Sequence, residues 1–173
     1  EHPELFNINN GDVGTPSGPG AADGDWIHIN AINYHKEWDQ IVFSSRYQHE
    51  IFVIDHSTTT EEASGHTGGN SGKGGDFLYR WGNPQNYNRG QASDQILIVP
   101  HSINWIPENY PGENNFILFN NLHSGNPISG NSAVLEFVPP VDAYGNYSIE
   151  EGEPYGPETY NWLYEENIFS SFQ

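Results

Sequence analysis

Eight short strand-like runs, each closed by turn residues, set the tightest limit on what this chain can fold into. Residues 26–35 (WIHINAINYH), 40–48 (QIVFSSRYQ), 50–57 (EIFVIDHS) and 77–84 (FLYRWGNP) form a first set. Residues 95–108 (QILIVPHSINWIPE), 114–123 (NNFILFNNLH), 133–141 (AVLEFVPPV) and 160–166 (YNWLYEE) form a looser second set. β-Branched and aromatic residues fill these runs, and Gly, Pro, Asn and Asp separate them. Apolar residues at helical spacing are missing, except weakly near TYNWLYEENI. The reading is all-β.

The two sets imply a repeat. His28 and His101 open comparable runs, 73 residues apart. A four-strand unit recurring at such a period reads as a β-propeller blade with long loops, although sandwiches also give many short strands. The predicted layout is an irregular opening segment over 1–25, a first blade with a long loop over 26–90, and a second blade with a trailing segment over 91–173. Together they make about two four-stranded blades.

A length of 173 residues suits a real hydrophobic core. The formal charge of −18 repels phosphate, which argues against nucleic acid as a partner. No run approaches the ~18 apolar residues of a membrane span. Cysteine is absent, which excludes disulfides and thiolate metal sites. Methionine is absent too and the chain opens at Glu1, which reads as a processed or excised piece. The acidic balance is in keeping with an extracytoplasmic setting.

In a blade, the start of the first strand and the turn after the second strand share one face. His28, Arg46 and His101 would then converge on the same rim of a central funnel. Period-two alternation places His28 and Asn30 on one side of their strand. Two imidazoles, a carboxamide and a guanidinium suit a tetrahedral oxyanion such as a sulfate ester. Arginine offers a planar fork to two oxygens at once, and Asn and His add donors. A second histidine can act as nucleophile or proton shuttle near neutral pH. Set against this, strand histidines mostly satisfy local hydrogen bonds, and the residues alone leave both readings open.

The stretch from D-W-I-H-I-N through the S-S-R that ends the next run, E-I-F-V-I-D-H-S and Y-R-W-G-N-P resembles the bacterial arylsulfotransferase (aryl-sulfate sulfotransferase) family. The similarity covers roughly residues 20–140 and weakens toward AVLEFVPP. It implies a six-bladed propeller, exported to the periplasm or beyond, that moves a sulfuryl group from a phenolic sulfate to another phenol without a cofactor. It also implies a transiently sulfated histidine in the central channel. By position, His28 and Asn30 match the family's His-x-Asn pair, Arg46 its channel arginine and His101 the nucleophile. Arg46 and Asn30 would hold the sulfuryl oxygens, and His28 would assist the transferring group. Two blades cannot close a six-bladed ring, so the remaining blades or neighbouring copies are implied partners, and this stretch alone is expected to be inactive. The competing reading is a non-catalytic secreted propeller used for binding or structure. A third is hydrolysis of the ester to water.

Other features carry less. GGNSGKGGD fails the P-loop pattern, because Thr67 occupies the first required glycine and Gly74 follows Lys73, so a flexible loop is expected. His35, His49, His56, His66 and His123 lack zinc-site spacing and are expected to be solvated or in turns, so no metal is assigned. Asp23 and Asp25 are weak candidates for calcium. Trp26, Trp81 and Trp105 are expected to pack between blades, with Trp105, near the rim, also placed to stack on an aryl substrate. Arg80 is expected to be structural, and residues 149–158 to form a solvated acidic loop.

Overall fold

A computed structural model describes residues 2–10, 26–124 and 131–166. The chain builds two four-stranded antiparallel sheets, each a simple up-and-down meander. The first holds β1 (Ile29–His35), β2 (Gln40–Ser45), β3 (Glu50–Asp55) and β4 (Tyr79–Trp81). The second holds β5 (Pro100–Trp105), β6 (Phe116–Ser124), β7 (Asn131–Phe137) and β8 (Trp162–Glu166). Every expected run contains a strand. The weakly helical TYNWLYEENI is strand over β8, because its Leu163 pairs with Leu135 and packs against the shared core.

That core lies between the sheets. Val42, Ile51, Val53, Tyr79 and Trp81 from the first sheet meet Ile103, Trp105, Phe116, Leu118, Leu135 and Phe137 from the second. Trp81 stacks on Phe137 at 3.8 Å between ring centres, so it does pack between the sheets. Burying each such aromatic or branched side chain contributes about 1.5–3 kcal/mol. β2 and β3 are covered on both faces, which is why they read as nearly continuous apolar runs.

The second face of the first sheet is covered by residues 2–10. Phe6 enters a cluster with Phe43, Phe52 and Phe77, and the Phe77 amide donates to Glu4 O at 2.9 Å. Trp26 joins this side, not the space between the sheets. Its ring lies 5.5 Å from Phe6 and its Nε1 donates to Asn10 O. Ile32 and Tyr34 on β1, and Trp162 and Tyr164 on β8, remain largely exposed.

The loop after β3 is not a loose tether. Thr59 caps a single helical turn, α1 (Thr60–Ala63), in a reciprocal box with Glu62. The Asp55 carboxylate accepts from the Ser57 and Ser71 amides at 2.9 and 2.8 Å, which folds the glycine-rich stretch back onto the sheet end. The segment between β7 and β8 also packs down. Tyr155 is buried, and Gln40 Nε2 donates to Gly145 O at 2.8 Å. Asp23 and Asp25 lie outside the described residues. Among the described residues no helix is long and apolar enough to cross a membrane.

Candidate active site

The first strand of each sheet is bulged where the candidate residues sit. In β1 the register slips between Ile29 and Ala31, and in β5 between His101 and Asn104. Bulges re-aim side chains at strand ends, and here they break the alternation that the sequence suggests for His28 and Asn30. The backbone is unusual at this end as well. His28, His49, Val99 and Ser102 all adopt left-handed φ values, between 49° and 58°. Elsewhere among the described residues, the non-glycine positions with positive φ are Asp or Asn, for which that region is tolerated.

Arg46 follows β2, and its amide donates to His28 O at 3.1 Å, which extends the β1–β2 ladder to the histidine. Tyr47 lies beside both: its ring is 5.0 Å from that of His28, and the Arg46 guanidinium carbon is 5.6 Å from its centre. Arg46 Nε is buried without a hydrogen-bond partner among the described residues. An orphaned charged donor of this kind is costly unless a ligand satisfies it.

His101, at the start of β5, is 7% exposed. Burial pushes its pKa below the usual imidazole range, against a hydrogen bond to Val99 O, and the charges of Arg46 and His28 push the same way as burial. His101 therefore feels the charges of both Arg46 and His28. His101 Nδ1 lies 3.1 Å from Val99 O and 2.7 Å from Asn121 Nδ2. The carbonyl can only accept and the amide nitrogen can only donate, so these two contacts favour opposite tautomers.

Asn30 has a different place from the one expected. Its Nδ2 donates to Pro100 O at 2.9 Å and its Oδ1 accepts from Ser44 Oγ at 2.6 Å. The carboxamide ties β1 and β2 to the second sheet, so its main task is to hold the seam. Trp105 is a correction. It is 5% exposed, with its ring 5.1 Å from Phe116 and 5.2 Å edge-on from His35. Its partner Phe116 lies three residues along β6 from Phe119, the partner of His101, which puts the two about 10 Å apart along the sheet. It is a core residue at the far end of β5.

Two residues at the site gave weaker sequence signals. His49 closes the same turn as Arg46, a turn position as expected, and takes the Val99 amide on Nδ1 at 3.0 Å, so its ring is not left to solvent. Burial first, and Arg46 second, push its pKa down. Asn121 comes from β6, and its only signal was the N-N pair in FILFNN. Its neighbour Asn120 accepts from the Ile98 amide and donates to Ile96 O, which clasps the segment leading into β5.

Arg80 is structural, as expected. It forks onto the Glu50 carboxylate at 2.9 and 2.5 Å, and Asn86 Nδ2 reaches both Glu50 Oε2 and Gln48 O. This buried knot anchors the turn carrying Arg46 and His49. Among the remaining histidines, His56 and His66 pair with Asp39 and Asp76. His35 stacks on Trp38 and His123 meets Tyr160.

Imidazole and guanidinium groups thus gather near the bulged first strands of the two sheets. The family model Arylsulfotransferase (ASST) matches residues 4–131. The chain belongs to the arylsulfotransferase family. The match covers the whole first sheet, β5 and β6, and so takes in every residue of the site described above. Membership makes the arylsulfotransferase chain transferase-like and places its substrates at the family level among aryl sulfates and phenols. No curated protein matches it.

Proposed function

We propose that this arylsulfotransferase chain carries the core of an active site that moves a sulfuryl group from a phenolic sulfate to a phenol through a sulfated His101. The observation that carries the reading is Arg46 Nε, buried and without a hydrogen-bond partner among the described residues, in the neighbourhood of a buried histidine. His101 Nε2 attacks sulfur in line, the sulfur–oxygen bond to the aryl group breaks, and the phenolate leaves. Arg46 meets the sulfuryl oxygens, and His28 hydrogen-bonds the departing oxygen. The acceptor phenol then gives its proton to a histidine, attacks sulfur, and restores His101. Two half-reactions at one site give ping-pong kinetics.

The same reading makes the two sheets successive blades of a larger propeller. Each is a four-stranded meander, and the exposed Ile32, Tyr34, Trp162 and Tyr164 are flanks that neighbouring blades would cover. An intact protein that includes this chain should transfer sulfuryl from a chromogenic aryl sulfate to an added phenol. Quenching without acceptor should trap a sulfated peptide containing His101. Label on another residue would remove His101 from its role, and release to water alone would make the chain a hydrolase.

A further inference from the structure

One residue, Val99, touches both buried histidines through the two peptide groups that flank its Cα. Its N–H donates to His49 Nδ1 at 3.0 Å, and its carbonyl lies 3.1 Å from His101 Nδ1. Val99 has φ +57°, a conformation that β-branched residues rarely adopt. Such strain persists only when the surroundings over-determine it, and it concentrates where function needs it. Here Asn120 clasps Ile96 and Ile98 from the second sheet, while His49 holds the Val99 amide from the first.

We propose that His49 is a positioning residue. It holds the Val99 N–H and with it the residue's left-handed conformation, which sets the direction of the carbonyl on the other side of the Cα. That carbonyl fixes the His101 proton on Nδ1, leaving Nε2 with the lone pair that attacks sulfur. The role assigned to Nε2 rests on His101 being the nucleophile. Val99 O also accepts from Asn121 Nδ2 at 3.0 Å, so without His49 the segment is held from the second sheet alone, and the shorter 2.7 Å contact from the same Nδ2 to His101 Nδ1 becomes the governing one. That bond would put the proton on Nε2 and silence it. His49 acts only as a neutral acceptor, since a proton on Nδ1 would face the Val99 N–H donor to donor. Burial and the nearby Arg46 charge keep it in that form.

The test compares His49→Asn and His49→Gly with the parent protein, with imidazole nitrogen NMR for the tautomers and steady-state transfer for the rate. Asparagine tolerates the left-handed φ of 58° and offers Oδ1 to the Val99 amide. Glycine suits the backbone but offers no acceptor. The parent should show His101 protonated on Nδ1 and His49 on Nε2. His49→Asn should keep the His101 tautomer and most of kcat. His49→Gly should move the His101 proton to Nε2 and lower kcat by about 10–100-fold with little change in KM. A parent His101 protonated on Nε2, or a glycine variant with unchanged tautomer and rate, overturns the proposal. Equal losses in both variants overturn it too, since then His49 only fills space. If His49→Gly shifts the tautomer but transfer survives His101→Ala, the nucleophile assignment fails while the positioning by His49 stands.

Discussion

Replacing Arg80 with methionine tests how the arginine-bearing turn is held. The Arg80 side chain is 1% exposed and that of Glu50 is 0%. The guanidinium gives Nε and Nη2 to the carboxylate, gives Nη1 to Leu5 O at 3.0 Å, and lies 4.4 Å from the centre of the Tyr87 ring. Methionine fills much of the same volume but leaves the Glu50 charge with Asn86 alone. Breaking a buried pair from one side costs about 3–5 kcal/mol, a large share of the ~5–15 kcal/mol that holds a typical domain together. Adding Glu50→Gln removes the stranded charge, so the double variant should be more stable than Arg80→Met by about 1–3 kcal/mol. The pH dependence has a definite sign. With Arg80 gone, burial alone raises the Glu50 pKa, so the folded state keeps a proton that the unfolded chain releases near ~4.3. The single variant should therefore lose stability as pH rises from about 5 to about 8, and the double variant should lack that slope. Urea unfolding followed by tryptophan fluorescence reads both effects. A single-variant cost below ~1 kcal/mol, as for exposed pairs, would refute the anchoring argument. So would a double variant no more stable than the single.

Arg46→Gln should lower kcat by roughly 10²–10³. It should also move the acid limb of the pH–rate profile upward, because the Arg46 charge helps hold His101 neutral; an unmoved limb would separate the two groups. Asn30→Ala strands Pro100 O and Ser44 Oγ and should cost ~1–3 kcal/mol of stability by denaturation. Its kcat should fall far less than that of Arg46→Gln, and the reverse ranking would return Asn30 to the sulfuryl oxygens. Trp105→Ala should cost about 3–5 kcal/mol through the cavity it leaves, with KM for the aryl sulfate unchanged in the folded fraction. A raised KM at full stability would put the ring back against substrate.

Local chemistry alone located the strands. β-Branched and aromatic runs closed by Gly, Pro, Asn and Asp leave the backbone few alternatives, so all eight strands were legible, as were Arg46 beside His28 and the structural role of Arg80. Strand alternation, by contrast, assumes a regular ladder. The bulges at Ile29–Ala31 and His101–Asn104 depend on how two sheets meet, and no short window of sequence contains that meeting. The same holds for His49, which looks like an ordinary turn residue until Val99 arrives from fifty positions away to donate to it. By sequence Trp105 suits either a rim or a core, because an aromatic near a strand end fits both equally well; packing against Phe116 and His35 decides for the core. Asn30 became a seam because a buried Pro100 carbonyl needed a donor and the carboxamide was the group within reach. Sequence thus determined the strands and the residue types gathered at one end of them. Tertiary structure decided which of those side chains face a substrate and which hold the others still, because long-range contacts, not local propensity, settle each buried hydrogen bond.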